Sequence, residues 1–202
     1  MTTKQIVHII DDDPAIRDAV SLLLSTEGYD ARSYASALVF LGDVDPATSG
    51  CIVTDVRMPG VNGLELIATL AERDIDLPII VITGHADVPL AVHAMKQGAV
   101  DLLEKPFRSA DLLSCVEQAL ARKAADGADA GGQDAAARLA TLSARENEVL
   151  SGLLKGLQNK VIAHEMGISA RTVEVHRANV MKKTHASSLS ELVRLALTAQ
   201  RR

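Results

Sequence analysis

Hydrophobic positions in the first 123 or so residues alternate between short continuous runs and amphipathic segments. The runs predict five strands, at Ile6–Ile10, Ala31–Tyr34, Cys51–Asp55, Ile79–Thr83 and Val100–Leu103. Helical spacing predicts helices over residues 14–27, 36–42, 63–73, 86–97 and 109–123. Continuous apolar strands that alternate with helices are typical of a parallel sheet covered on both faces. The pattern predicts an α/β fold with a doubly wound, five-stranded parallel sheet.

The periodicity stops at "ARKAADGADAGGQDAAAR", residues 121 to 138, which consists almost entirely of Ala, Gly and Asp. We interpret residues 124–137 as a linker whose Ala-rich ends favour helix. Only helical spacing follows this segment. The predicted domains are therefore residues 1–123, the linker 124–137, and a small all-α domain over residues 138–202.

Charge is distributed unevenly between the two parts. Residues 1–137 contain 10 Lys/Arg against 21 Asp/Glu, whereas residues 138–202 contain 11 against 5. Such asymmetry favours an acidic module joined to one that contacts a polyanion. No apolar run approaches the roughly 18–20 residues of a membrane span, and "MTTKQIVHII" has no features of an export signal. Cys51 and Cys115 match no metal-ligand or redox spacing, so we expect a cytoplasmic protein with no membrane partner.

Polar residues follow the predicted strands at the edge where a parallel sheet places its ligands. Asp11 and Asp12 follow the first strand and Asp55 ends the third, while Thr83 ends the fourth and Lys105 follows the fifth. Asp13 precedes Pro14 and is explained as a helix N-cap. Asp11, Asp12 and Asp55 would repel one another unless a cation neutralised them. Oxygen ligands of this kind suit Mg²⁺.

These residues, in this order and at these strand ends, resemble the flavodoxin-like receiver domain of two-component response regulators. The resemblance implies that Asp55 accepts a phosphoryl group from a kinase phosphohistidine. It also implies that Asp12, Asp55 and the backbone carbonyl of Arg57 bind Mg²⁺, and that Asp11 holds a metal-bound water. Lys105 would contact the phosphoryl oxygens, and Thr83 would turn its hydroxyl onto them.

The sequence departs from this family at Leu102, in "VDLLEKP". Many receivers carry Phe or Tyr three residues before the Lys, and the ring moves inward together with the Thr. Leu102 has neither a ring nor a hydroxyl, and Tyr29 and Tyr34 lie elsewhere in the sequence. The aromatic part of the switch is therefore in question here.

The C-terminal part has the signals of a helix-turn-helix. Ser143 and Glu146 form a capping box at the start of a first helix. A second helix, Asn159–Met166, ends at Gly167, and Ser169 caps a third that runs from about Ala170 to Lys183.

Within the third helix, Val173, Val180 and Met181 share one stripe and are predicted to pack inward. Val175 lies about 200° from Val173 around the helix, so it points outward, where it could contact a thymine methyl. The predicted DNA contacts are Lys160, Arg171, Thr172, Glu174, Val175, Arg177, Ala178, Lys182 and Lys183.

The segments "LSARENEVL", "NKVIAHEMGIS" and "TVEVHRANVMKK" closely resemble the LuxR/NarL-type DNA-binding domain. The resemblance places the base-contacting positions on Glu174, Val175 and Ala178. Glu174 could accept a hydrogen bond from cytosine N4 or could equally pair with a nearby basic side chain.

The whole chain resembles the FixJ group of response regulators. This implies a sensor histidine kinase as donor, homodimerisation on phosphorylation, binding to double-stranded DNA, and transcriptional activation through RNA polymerase, with no enzyme activity. The alternative is a DNA-binding transcription factor that acts without phosphorylation. A haloacid-dehalogenase-like phosphatase is disfavoured because Arg57 stands where that family needs a second Asp. An RNA-binding antiterminator is disfavoured by the third helix.

Overall fold

The computed structural model describes residues 4–85, 87–125 and 131–200. Strands and helices alternate through the first part, and only helices follow. The first part comprises β1 (Ile6–Ile10), α1 (Pro14–Thr26), β2 (Asp30–Tyr34), α2 (Ala37–Asp43), β3 (Cys51–Asp55), α3 (Gly63–Glu72), β4 (Ile79–Thr83), α4 (Val88–Gln97), β5 (Asp101–Glu104) and α5 (Ser109–Ala125). The later helices are α6 (Gly131–Ala140), α7 (Ala144–Leu154), α8 (Asn159–Met166), α9 (Ala170–Thr184) and α10 (Leu189–Gln200).

The five strands form one parallel sheet in the order β2-β1-β3-β4-β5. The order reverses between β1 and β3, and doubly wound sheets bind ligands beyond the strand ends at such a point. Ile10 pairs with Thr54 across these strands, so the residues that follow each of them lie side by side. The predicted fold class is confirmed.

Both faces of the sheet carry apolar cores. On one face, alternate residues of β1, β3 and β4 pack with Val20 and Leu24 of α1 and Leu112 and Val116 of α5. On the other face, His8, Tyr34 and Phe40 form a small aromatic cluster with ring centroids 5.1 to 5.9 Å apart.

Local signals explain where the helices begin. The Asp13 side chain accepts the Ala15 N–H at the start of α1, with Pro14 in the first turn, as predicted. Asn62 and Glu65 form a capping box on α3. Strand β5 begins at Asp101, one residue later than the apolar run had predicted.

Cys51 and Cys115 are both buried thiols. Burial raises the pKa of the Cys51 thiol to about 12, so it stays protonated. The Cys115 thiol donates to Asp101 Oδ2 at 3.4 Å. These contacts are consistent with packing roles for both residues.

The chain divides into two compact units. One contains Met1–Ala86 and Gln97–Asp126, and the other contains Asp87–Lys96 and Gly127–Arg202. The second unit therefore includes most of α4.

Helix α6 covers part of the segment that we had interpreted as linker. Ala135 is buried, and α6 packs chiefly on α10. The Arg138 guanidinium pairs with Asp134 and donates to the Thr184 carbonyl at 3.5 Å, at the end of α9. Helix α6 therefore begins within the segment interpreted as a linker, whose Ala-rich ends were predicted to favour helix.

Candidate functional site

The carboxylates predicted from the strand ends meet at one edge of the sheet. Oxygen atoms of Asp11, Asp12 and Asp55 all lie within 4.8 Å of one another. Asp11 is only 3% exposed, whereas Asp12 is exposed. The topology accounts for the cluster, because β1 and β3 are neighbours and end at the same edge.

Lys105 closes this acidic pocket from the β5 side. Its Nζ lies 2.7 Å from Asp11 Oδ2 and 2.7 Å from Asp55 Oδ2. Burial lowers the pKa of the Lys105 ammonium, but its hydrogen bonds to Asp11 and Asp55 outweigh that effect and the pKa is raised. The Lys105–Pro106 peptide is cis.

The loop after β3 completes the pocket. The Arg57 backbone N–H donates to Asp55 Oδ1 at 3.1 Å, which orients the carboxylate. A cavity of about 580 Å³ opens beside it and is lined by Asp12, Val56, Arg57, Met58, Pro59, Asn62 and Leu64. The Arg57 side chain has no group that accepts a proton at neutral pH, so it cannot act as the acid/base of a phosphatase.

Thr83 is fully buried at the end of β4. Its hydroxyl donates to the His85 carbonyl at 3.1 Å and accepts the His85 N–H at 3.3 Å. Both of these hydrogen bonds connect the Thr83 side chain to the loop after β4. The Thr83 carbonyl accepts the Lys105 N–H at 2.8 Å, which ties the strand end to the pocket lysine.

Leu102 lies on β5 opposite Val81 and is partly buried. The tyrosines are used elsewhere in the fold, since Tyr29 packs against the core between α1, α5 and the sheet, and Tyr34 belongs to the cluster with His8 and Phe40. Neither ring replaces the aromatic side chain that Leu102 lacks.

The donor set of the pocket fits a hard divalent cation. It offers three carboxylates within a few ångströms, one of them exposed, with a cavity alongside. Lys105 balances only one of the three negative charges, so a cation would relieve the remaining repulsion. Soft ligands are absent from this cluster of described residues.

The C-terminal unit contains the predicted helix-turn-helix. Ser143 and Glu146 form the capping box of α7. Gly167 ends α8 in the left-handed conformation with φ 66°, a conformation that glycine adopts readily. Ser169 accepts the Thr172 N–H and caps α9. Val173 and Val180 are fully buried, and Met181 packs against the same core.

The outward face of α9 carries most of the predicted DNA contacts. Val175 is 55% exposed, as its predicted outward position requires. Exposed with it are Arg171, Thr172, Glu174, Ala178 and Lys182, while Arg177 is partly buried and Lys160 is exposed on α8. Two helices and a tight turn therefore present a mixed polar and apolar strip of the kind that reads a major groove.

Lys183, also predicted as a phosphate contact, is engaged elsewhere. Its Nζ lies 2.7 Å from Glu146 Oε2 and donates to the Thr141 carbonyl at 3.4 Å. The hydrogen bond from Lys183, followed by the Ser143 backbone N–H, lowers the pKa of Glu146 to about 2. The pair links the end of α9 to the start of α7.

The sequence analysis did not identify two residues that lie at these sites. Arg17 donates from Nη1 to the Asp11 carbonyl at 2.6 Å, which periodicity could not indicate. Asn179 is exposed on α9 only about 40° from Val175 around the helix, whereas Glu174 is about 100° away on the other side. A helical projection of the sequence alone could have identified Asn179.

Comparisons with known proteins identify the families of both parts of the chain. Residues 7–117 match the family model described as response regulator receiver domain. Residues 140–196 match that of bacterial regulatory proteins, luxR family. The chain therefore belongs to the response regulators that join a receiver to a LuxR-type DNA-binding domain, which are regulators of transcription.

Individual relatives cover nearly the whole chain. The transcriptional regulatory protein FixJ of Bradyrhizobium diazoefficiens is 50% identical over 200 residues, 98% of each chain. FixJ of Azorhizobium caulinodans is 52% identical over 194 residues, which is 96% of this chain and 92% of that one. The crystal structure of full-length FixJ from B. japonicum covers 98% of both chains with a TM-score of 0.59.

No helix among residues 4–85, 87–125 and 131–200 combines the length and apolar character needed to cross a bilayer.

Proposed function

We propose that a sensor histidine kinase phosphorylates this response regulator on Asp55 in a Mg²⁺-dependent reaction. The observation that carries the proposal is the position of Lys105 Nζ, 2.7 Å from both Asp11 and Asp55. Because the Lys105 ammonium already lies between two carboxylates on one sheet edge, it can remain beside the Asp55 side chain when Asp55 gains a phosphoryl group.

The transfer needs few groups. An Asp55 carboxylate oxygen attacks the phosphorus of a phosphohistidine, a P–O bond forms, and the P–N bond breaks with its electron pair returning to the imidazole. The Lys105 ammonium neutralises charge on the phosphoryl oxygens. Asp11, Asp12, Asp55 and the Arg57 carbonyl would hold Mg²⁺, which when bound would add charge neutralisation and orientation.

The response to phosphorylation would begin at Thr83 and would end with the binding of DNA by α9. Thr83 would turn its hydroxyl to a phosphoryl oxygen, which alters the loop after β4. The phosphorylated chain then dimerises and binds two half-sites of double-stranded DNA, and pairing raises the effective concentration of the second domain. Contact with RNA polymerase would activate transcription. The sequence expectation of a cytoplasmic location, based on two cysteines without metal-ligand or redox spacing, belongs to this proposal.

The test compares wild type with Asp55→Ala, each with Mg²⁺ and acetyl phosphate and with either component omitted. Intact-mass measurement should show an acid-labile adduct of about 80 Da, the mass of one phosphoryl group, only on the fully supplied wild type. Size-exclusion chromatography and DNA binding of the same samples should show dimerisation and tighter binding in that sample alone. Absence of the adduct would overturn the proposal.

Leu102 gives one observation in favour of a second function, a DNA-binding regulator that acts without phosphorylation. Without the aromatic ring, phosphorylation would have one fewer means of reshaping the receiver surface. The same experiment separates the two: under the second function, Asp55→Ala and unphosphorylated wild type bind DNA as tightly as phosphorylated wild type.

A further inference from the structure

Arg17 folds back from the first turn of α1 onto the end of β1. Its Nη1 donates to the Asp11 carbonyl at 2.6 Å, and the side chain is partly buried. Its own backbone N–H donates to the Asp13 carbonyl at 3.1 Å within the helix. The guanidinium therefore joins the start of a helix to the backbone of the acidic pocket.

The Asp11 carbonyl needs such a donor because the sheet does not supply one. The last residue of β1 that pairs with β2 is Ile10, opposite Tyr34. Asp11 still donates its N–H to the Tyr34 carbonyl at 3.3 Å, but its own carbonyl lies beyond the ladder. Buried backbone carbonyls are normally paired, and a charged donor makes a short, strong bond of this kind.

This carbonyl belongs to the peptide that connects Asp11 with Asp12. Because a peptide unit is planar, a bond that fixes the Asp11 carbonyl also fixes the orientation of the Asp12 N–H and the direction in which the chain continues. The Asp11 carboxylate is itself held on both oxygens, by the Asp13 N–H at 2.9 Å and by Lys105 at 2.7 Å. For the exposed Asp12, in contrast, no hydrogen bond to another described residue holds the carboxylate, so the connecting peptide sets the position from which the side chain extends.

We propose that Arg17 is a positioning residue for the divalent cation. It sets the plane of the Asp11–Asp12 peptide and so places the Asp12 carboxylate beside Asp11 and Asp55. The inference rests on the proposed function, because it assigns Arg17 to the Mg²⁺ site of that reaction. Arg17 contacts neither the metal nor the phosphoryl group, and it acts through the backbone alone.

The experiment compares Arg17→Met with Arg73→Met in the full chain. Arg73 is a matched control, since its Nη1 also donates to a backbone carbonyl, that of Leu41, at 2.8 Å. Mg²⁺ alone is titrated calorimetrically at a temperature well below unfolding, and thermal unfolding is measured alongside. Arg17→Met should weaken Mg²⁺ binding by about tenfold or more, as loss of an outer partner commonly does. Arg73→Met should lower stability but leave Mg²⁺ affinity unchanged.

Arg17→Lys provides the second variant, should Arg17→Met fold poorly. A lysine retains one charged donor but not the planar fork, so its Mg²⁺ affinity should fall between those of wild type and Arg17→Met. Wild-type affinity in both Arg17 variants, or an equal loss in the Arg17 and Arg73 variants, would overturn the inference. Failure of wild type to bind Mg²⁺ or to form the Asp55 adduct would instead overturn the proposed function.

Discussion

Lys183 and Glu146 are joined by a bond of 2.7 Å between residues 37 positions apart in the sequence. Lys183 is the last basic residue of α9, and Glu146 is buried in the first turn of α7. The exposed Lys183, which the sequence predicts as a DNA contact, thus also links two helices. Its neighbour Lys182 is exposed and is not among the ion pairs of the described residues.

This difference predicts opposite effects for adjacent lysines. Lys182→Met should reduce the slope of log K for DNA against log salt by about 0.9, the value for one phosphate contact, with stability unchanged. Lys183→Met should lower the melting temperature by a few degrees, because Glu146 then keeps the Ser143 N–H but loses its cationic partner. Binding measured at several salt concentrations, together with thermal unfolding, checks both. Equal salt slopes for the two variants would contradict this assignment.

Gly63 predicts a steric link to the phosphorylation site. A Cβ at Gly63 would lie 2.3 Å from the Asp55 carbonyl oxygen, so Gly63→Ala must displace the backbone that carries Asp55. We expect a loss of roughly 1–3 kcal/mol in the free energy of unfolding, together with reduced acetyl phosphate labelling. Gly42→Ala is the control, because a Cβ there has no neighbour within 4 Å. The prediction fails if both variants are labelled like wild type.

His8 predicts a pH dependence of receiver stability. The ring is 2% exposed and its Nε2 lies 3.1 Å from the Ser49 carbonyl, to which a neutral or a charged ring can donate. Burial lowers the pKa of His8 despite the opposing bond to Ser49, and Arg32 and Asp30 nearby act in opposite directions. The unfolded chain therefore takes up a proton more readily than the folded one. Stability is greatest above about pH 6.5 and falls as the pH drops toward the folded-state pKa.

Tyrosine fluorescence can follow this effect in the intact protein, because both tyrosines, Tyr29 and Tyr34, lie in the receiver. Wild type should lose at most about 1.4 kcal/mol per pH unit from this one group below pH 6.5. His8→Phe should start lower, through loss of the bond to Ser49, but should show a shallower pH dependence. The same slope in both proteins would show that other groups cause it.

Asn179 predicts a preference for adenine in the DNA half-site. An outward Asn one turn after Val175 can make a bidentate contact with adenine N6 and N7. In selections from random DNA, Asn179→Ala should lose an adenine preference at one position, equivalent to about 1–3 kcal/mol. Val175→Ser should instead weaken a thymine preference at a different position. An unchanged selected sequence for Asn179→Ala would remove this residue from base recognition.

The sequence was sufficient for much of the fold because most of its strands are short apolar runs with an acid, Pro or Gly next to at least one end. The predicted strands agree with the observed ones to within a residue, and residues placed at strand ends meet because parallel strands share an edge. Helix α6 was harder to place than the strands. An Ala-rich composition favours helix in a linker as much as in a folded domain, and the packing of α6 on α10 is a tertiary contact that the sequence does not show.

The positions of long charged side chains were less predictable than those of the strand ends. Arg17 and Lys183 each bond to a partner that tertiary structure brings close, the Asp11 carbonyl and the Glu146 carboxylate. Helical periodicity specifies the direction of a Cα–Cβ bond, but it does not specify the position of a charged group that several rotatable bonds separate from Cβ. The choice among Glu174, Val175 and Asn179 as base contacts is limited in a similar way, because it depends on the bases of the operator as well as on the protein.

The Thr83 hydroxyl has a single proton, and His85 already accepts it. Under the proposed function, a phosphate on Asp55 and the His85 carbonyl compete for that one hydrogen. When the Thr83 hydroxyl donates to the phosphate, the loop after β4 loses the hydrogen bond that Thr83 gave to the His85 carbonyl. One hydrogen bond to the phosphate is thus exchanged for one hydrogen bond to the loop, and this exchange needs no aromatic ring. A chain with leucine at position 102 therefore retains a chemical route by which an event at the pocket is communicated to the segment after β4.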